Sequence, residues 1–440
     1  MKRTFADFLS HYGTLLGLLL LCAYFSVVTY SEQSPTGAGA ATGLAPVIRK
    51  QLGATGRVLI VGRDQPEDVA FVRRLEQELS ASGIRLAGVV TGEPRQAREA
   101  LQKLAAAGEK LDIIAGTTVA ASWLVFADLK IDFPTLGSPT VLAPRSYRWP
   151  NFLKSENLLN IANQIAVIAI VAIGMTLVII TGGIDLSVGS LIALAAVLTA
   201  RFIRDWAGGT QASVGGMILA CVVAIVLCGV AGAVCGGLIT QFGIPPFIVT
   251  LALMLVASGS AYLLAGGQSI YQIPDSFVWL GRGADLFNLP NAVVLLLILY
   301  VLAHILMSRM RLGRYLYAVG GNREAARLSG VPVERVLLFA YVASGLLAGL
   351  GGVIMASQLK SGSATYGNMY ELYVIAAVVV GGTSLSGGEG RMFGTLTGAF
   401  TIAVIQNGMN LTNVESYTQK VVLGLVILGA VLIDKARQRR

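Results

Sequence analysis

The sequence predicts an all-α polytopic membrane protein of about ten transmembrane helices, with a small α/β insert between helices 1 and 2. Three observations carry this. First, 55% of the 440 residues are hydrophobic and only 13% are charged. Second, the charges are unevenly spread. Residues 31–157 hold 15 Lys+Arg and 13 Asp+Glu, while the flanking segments are apolar runs too long and continuous for a water-soluble globule. Third, inside the charged stretch the apolar pattern switches to short strands alternating with helical spacing. Together these exclude a simple soluble enzyme, a disordered chain and a disulfide scaffold. The net charge of +9 arises mostly in the apolar part, where basic excess reports orientation, not nucleic-acid binding.

A membrane helix needs about 20 apolar residues to cross roughly 30 Å of hydrocarbon. Ten segments qualify: 13–30, 162–181, 186–204, 213–235, 246–266, 290–308, 336–357, 372–388, 393–411 and 417–434. The very short gap 182–185 makes spans two and three a tight hairpin, and span eight runs into glycines. The chain therefore divides into a first helix (1–30), a charged insert with linkers (31–155) and a helical part (156–440) with a basic loop at 309–335. In the insert, 31–45 reads as a Ser/Gly/Ala/Thr/Pro linker, matched by a second around 143–155. Strands are expected at 57–61 (RVLIV), 84–90 and 111–115, with helices at 66–80 and 94–107, a β-α-β-α-β order typical of a parallel sheet. Gly62 and Gly116 follow strand ends, where such folds bind ligands, although plain turns suffice there.

Orientation follows from Lys and Arg in the short loops. With the N-terminus inside, Lys2, Arg3, Arg309, Arg311, Arg314, Arg323, Arg327, Arg335, Arg391, Lys435, Arg437, Arg439 and Arg440 are cytoplasmic, 13 in all. Only Arg201, Arg204, Arg282 and Lys360 occupy short outer loops. Both termini are then cytoplasmic and the insert is outside. The first span reads either as a retained helix or as a signal peptide cleaved at Ala38-Gly39-Ala40; that site lies well beyond the apolar run, and a retained helix is expected.

No residue set points to catalysis, a metal or a cofactor. The histidines are His11 and His304, there is no CxxC, and Cys22, Cys221, Cys228 and Cys235 sit in apolar runs. The segment LSGGE (385–389) matches the signature of ABC ATPases, yet the chain has no Gly-Lys pair and so no phosphate-cradling loop. A glycine-rich turn with left-handed corners fits better between two spans. Within TGGIDLSVGS (181–190), Gly182 and Gly183 can end one helix, and Asp185 or Ser187 can cap the next; substrate contact is the other reading. In the basic loop, Glu324, Ala325 and Ala326 begin a short helix that Gly330 ends and Pro332 blocks, a shape suited to docking on a soluble partner. Asn163, Gln164, Gln406, Asn407 and Asn410 are amides in or beside spans two and nine. They serve either to tie helices together or to line a polar path through the bundle.

TGGIDLSVGS, IPPFIVTL (244–251), YAVGGNREAARLSGV (317–331) and VVVGGTSLSGGEG (378–390) stand in this order, and the chain resembles the permease subunit of ABC importers for monosaccharides of the ribose, xylose and galactose type. The resemblance covers about 150–434 and, loosely, the first span. It implies a non-catalytic subunit in the bacterial inner membrane, paired with a second permease copy. A cytoplasmic ABC ATPase and a periplasmic sugar-binding protein are the implied partners. Asn322, Arg323, Glu324, Ala325, Ala326, Ser329 and Gly330 would form the ATPase-coupling loop, and Gly182, Gly183, Asp185, Ser187 and Gly189 the family's signature hairpin. The insert is a departure, since relatives pass from span one to span two through a short loop. Another is the missing Leu-Pro beyond the coupling loop. A sugar-responsive sensor or an uncoupled channel using the outer domain as receptor is the competing expectation.

Overall fold

The computed structural model describes residues 2–53 and 56–438. Arg439 and Arg440, counted above for orientation, lie outside the described residues, as do the side chains of Lys2, Arg3, His11 and Arg437. The chain forms two compact units, residues 30–150 and the remainder. Helix α1 (Lys2–Val28) opens the second of these.

In chain order the smaller unit comprises β1 (Tyr30–Gln33), α2 (Gly37–Leu52), β2 (Arg57–Gly62), α3 (Pro66–Ala81), β3 (Arg85–Thr91), α4 (Pro94–Ala106), β4 (Ile113–Gly116), α5 (Thr118–Ala121), α6 (Leu129–Asp132), β5 (Thr140–Leu142) and β6 (Tyr147–Pro150). Strands β3, β2, β4 and β5, in that spatial order, make a parallel sheet. Strand β2 is central and covered on both faces, which is why it reads as an unbroken apolar run. Val58 and Ile60 face Phe71, Leu75 and Leu79 of α3, while Leu59 and Val61 face Leu101, Phe126 and Leu136.

Both expected linkers are corrected. Residues 37–52 are a helix whose Ala40, Ala41, Leu44, Ala45 and Ile48 are buried at helical spacing. Alanine is the strongest helix former, and small side chains let α2 lie close on α3; a composition rich in Gly and Ala was mistaken for flexibility. Residues 147–150 pair antiparallel with β1, Tyr30 opposite Pro150 and Gln33 opposite Tyr147, so the stretches taken as two loose connections form one ribbon. The fourth parallel strand, β5, was also missed, being only three residues long.

The larger unit continues with α7 (Ser155–Ile180), α8 (Val188–Asp205), α9 (Val214–Phe242), α10 (Pro246–Ala265), α11 (Trp279–Arg282), α12 (Asn291–Arg309), α13 (Arg311–Gly321), α14 (Arg323–Leu328), α15 (Val333–Leu359), α16 (Tyr370–Val380), α17 (Met392–Leu411) and α18 (Ser416–Gln438). Among the described residues, α7, α9, α10, α12 and α15 are long and apolar enough to cross a membrane. The eighth expected span, 372–388, is corrected: the helix ends at Val380, and Gly381 and Gly382 turn the chain.

Helix α15 packs against α7, α8 and α9. Small residues make that approach feasible, because tight membrane packing relies on backbones meeting. A Cβ on Gly349 would stand 2.9 Å from Ile225 Cα, and one on Gly174 would stand 2.7 Å from Ser344 Cα. At Gly232, Gly345 and Gly352 it would overlap the carbonyls of Tyr341, Cys228 and Ile192.

Candidate functional site

Three of the four motifs singled out in the sequence meet in space. Helix α7 ends at Ile180, and Gly182 takes φ +76°, a left-handed corner that costs glycine nothing. The turn after α16 carries Gly387 at +84° and Gly388 at +75°, and the Gly388 amide donates to the Ile180 carbonyl at 2.9 Å. The LSGGE stretch is thus a turn with two left-handed corners. The end of α13 closes the junction. A Cβ on Gly320 would overlap the Ile180 carbonyl, and one on Gly387 would stand 3.0 Å from the Gly320 carbonyl. Tyr317 donates its hydroxyl to the Gly390 carbonyl at 2.7 Å. No side chain larger than hydrogen fits where these backbones cross.

Helix α14 stands on this junction. Asn322 accepts from the Ala325 amide at 2.9 Å, capping it, and Gly330 leaves it at φ +82°. Ala326 is buried against the bundle, while Arg323, Glu324, Ala325 and Ser329 are exposed and Leu328 is 89% exposed. Arg323 Nη2 donates to the Thr181 carbonyl at 3.2 Å, joining the 317–331 motif to the 181–190 motif. Arg327 bridges Glu324 at 3.3 Å and Glu334 at 2.7 Å; the hydrogen bond to Glu334 raises its guanidinium above the ordinary range. Between the ends of α12, α13 and α15 a groove of about 600 Å³ is lined by Arg309, Arg311, Arg335 and Tyr315 together with the apolar Met310, Leu312, Pro332 and Val336. The surface is positive, with one large apolar side chain held out on a short helix.

Asp185 has another task than the one expected. Its Oδ1 accepts from the Ser187 amide at 3.0 Å and hydroxyl at 2.6 Å, and its Oδ2 accepts from Ser344 of α15 at 2.7 Å. Ser187 occupies the capping position of α8 with a helical backbone (φ −79°, ψ −14°) in place of the extended one a cap adopts, and makes no side-chain capping bond among the described residues. Gly183 is held under the Tyr341 hydroxyl, and Gly189 lies against Gly367 and Glu371.

The five amides do not form a group. Asn407 and Asn157 exchange two hydrogen bonds, at 2.8 and 3.0 Å, between α17 and α7. Asn163 donates to the Gly281 carbonyl at 3.1 Å, and Asn410 accepts from Gln419 at 2.8 Å. Gln164 is exposed and Gln406 half-buried. Sequence reasoning missed Tyr317, Gly320, Tyr341 and Ser344. For Gly320 a signal existed, since GG at the end of an amphipathic helix has no local need for two glycines.

An apolar bundle closed by interlocked turns, with a short exposed helix on them, has the form of a membrane permease component. The sequence pattern of the family described as "Branched-chain amino acid transport system / permease component" matches residues 157–431, and the chain belongs to that family. Among individual relatives, the ribose import permease protein RbsC of Escherichia coli K12 is 42% identical over 293 residues, covering 66% of this chain and 88% of that protein. RbsC of Bacillus subtilis is 43% identical over 292 residues, 66% and 87% of the two chains. The L-arabinose transport system permease protein AraH of E. coli K12 is 37% identical over 294 residues, 66% and 86% of the two. No solved structure matches the chain.

Proposed function

We propose that this chain is the membrane-spanning permease subunit of an ABC importer that carries a monosaccharide of the ribose, allose or arabinose kind across the inner membrane. It is not itself an enzyme; ATP hydrolysis belongs to a partner subunit. The observation that carries the reading is that the chain aligns with at least 86% of the length of each of the sugar permeases RbsC and AraH. The junction of turns supports a coupling role for α14, since a helix seated on three helix ends can transmit a push to all of them.

In this reading there are ten spans and both termini are cytoplasmic, in keeping with the basic count of 13 against 4 in the short loops. The α/β unit is periplasmic, where a sugar-binding protein docks, and two permease copies frame the path. Contacts with the ATPase come from Asn322 through Gly330, with Leu328 entering its groove.

The test is reconstitution of the permease with its ATPase and binding protein in proteoliposomes, with uptake of labelled ribose, D-allose and L-arabinose. ATP-dependent uptake of one of them is expected. Uptake that proceeds without ATP or without the ATPase would overturn the importer reading in favour of a channel or uncoupled carrier.

A further inference from the structure

Helix α16 has 11 residues and so spans about 16 Å, half of the roughly 30 Å a membrane helix must cross. The missing length comes from the non-helical stretch 361–369, which runs along α8. A Cβ on Gly362 would stand 2.5 Å from Ala200 Cβ and 2.6 Å from the Ala196 carbonyl. One on Gly367 would stand 2.9 Å from Ile192 Cβ and overlap the Gly189 carbonyl. Between Ala200 and Gly189, α8 rises about 16 Å, so irregular backbone lies beside it over that depth. Such backbone is tolerated inside a membrane only where it is buried in protein or lines a water-filled space.

Such a space is present. A cavity of about 240 Å³ opens between this stretch, the first turn of α8 and α10. Its polar wall includes Ser190, Ser258, Thr365, Tyr366, Asn368 and Glu371. Glu371 is half-buried in the first turn of α16, and an acidic group at this depth is costly unless it faces water or a partner. Gly189, from the TGGIDLSVGS run, makes room for it: a Cβ there would overlap Glu371 Oε2.

A monosaccharide presents hydroxyls on every side, and each must find a partner when it leaves water. A carboxylate accepts several at once, and its hydrogen bonds are roughly twice as strong as neutral ones. We propose that this cavity holds the sugar during its passage, with Glu371 accepting hydrogen bonds from its hydroxyls and Thr365 and Asn368 as neutral partners. The proposal rests on the permease reading and adds the place and the chemistry of contact.

The experiment uses the complete complex in proteoliposomes with the three labelled sugars. Should the wild-type complex move none of them, the permease reading fails and this proposal falls with it. Given wild-type uptake, Glu371→Gln is expected to lower the maximal rate about tenfold to a hundredfold, the worth of one or two hydrogen bonds to a charged group. Glu371→Asp, which keeps the carboxylate, should recover most of that loss. Complex yield, read by co-purification with the ATPase, should stay at the wild-type level. Wild-type uptake in Glu371→Gln overturns the proposal. If that variant does not assemble, Asn368→Ala and Thr365→Ala decide, because both side chains are exposed. A loss of about fivefold or more, one neutral hydrogen bond's worth, supports the proposal, and unchanged uptake in both overturns it.

Discussion

Asp185 is 2% exposed, and its three hydrogen bonds fix what its removal does. Replacing it with alanine strands the hydroxyls of Ser187 and Ser344 in an apolar surround, so Asp185→Ala is expected to destabilise the bundle by about 1–3 kcal/mol. Ser344→Ala should cost less, and the double variant should fall short of the sum, because both remove one shared contact. Thermal unfolding in detergent measures all three. Tyr341 gives the opposite sign. Its hydroxyl is buried without a hydrogen-bond partner among the described residues, so Tyr341→Phe should leave the melting temperature unchanged or raise it. A clear fall would mean that the hydroxyl is satisfied in the native membrane state. The adjacent glycines at the end of α13 separate as sharply. Gly320→Ala drives a methyl group into the Ile180 carbonyl and should abolish the folded protein, while Gly321→Ala meets nothing within 4 Å and should be tolerated.

Helix α14 and the α/β strands show what the sequence discloses and what it hides. Helix α14 was legible because its signals are local: Glu324, a left-handed Gly330 and a blocking Pro332 lie within nine residues. The junction beneath it was not, since Gly320, Gly387 and Ile180 meet only through tertiary packing and nothing in their spacing links them. Re-entry of 361–369 was hidden for a different reason. A hydropathy window sees the glycine and serine content as an ordinary loop, and Glu371 as a residue flanking the span. In the smaller unit, the long strands and amphipathic helices carried period signals, whereas a three-residue strand and an alanine-rich helix carried almost none.

Two tests belong at this scale. Leu328→Asp should abolish co-purification of the ATPase without lowering membrane yield, since it charges the exposed tip and touches no core residue. Asp68 supplies the pH test. Burial pushes its carboxyl up, but hydrogen bonds from the Arg63 side chain and backbone and from Thr117 outweigh this and hold it below the usual carboxylate range. A carboxylate lowered in the folded state stabilises fully above its ordinary value and loses that contribution as pH falls through the folded value. The protection of the β2 amides, taken relative to the intrinsic exchange rate at each pH, should therefore fall on acidification. Asp68→Asn should exchange faster at neutral pH and lose that acid dependence.

At the scale of the molecule, residues 30–150 leave and re-enter the helical unit at one point. The Asn151 amide donates to the Thr29 carbonyl at 2.9 Å, and the Phe152 amide to Thr29 Oγ1 at 3.1 Å. Deleting residues 30–150 and joining Thr29 to Asn151 through a short flexible linker should leave α1 and α7 in register, with membrane yield and ATPase co-purification retained. If the α/β unit helps the binding protein dock, uptake should fall most at low sugar, where delivery limits the rate. Equal uptake at every concentration would make the unit dispensable for transport. Loss of assembly would make it structural.

The β1–β6 ribbon has a consequence for the history and the engineering of the chain. A module whose first and last residues lie side by side can be spliced into a host without stretching it, and lengthening the connection it interrupts adds little entropy, since that cost grows only with the logarithm of length. The junction at Thr29 and Asn151 is therefore a socket. Evolution could acquire or discard an outer module there in a single recombination step. A reporter domain with neighbouring termini, fused at the same point, should ride on the working transporter and signal its motions.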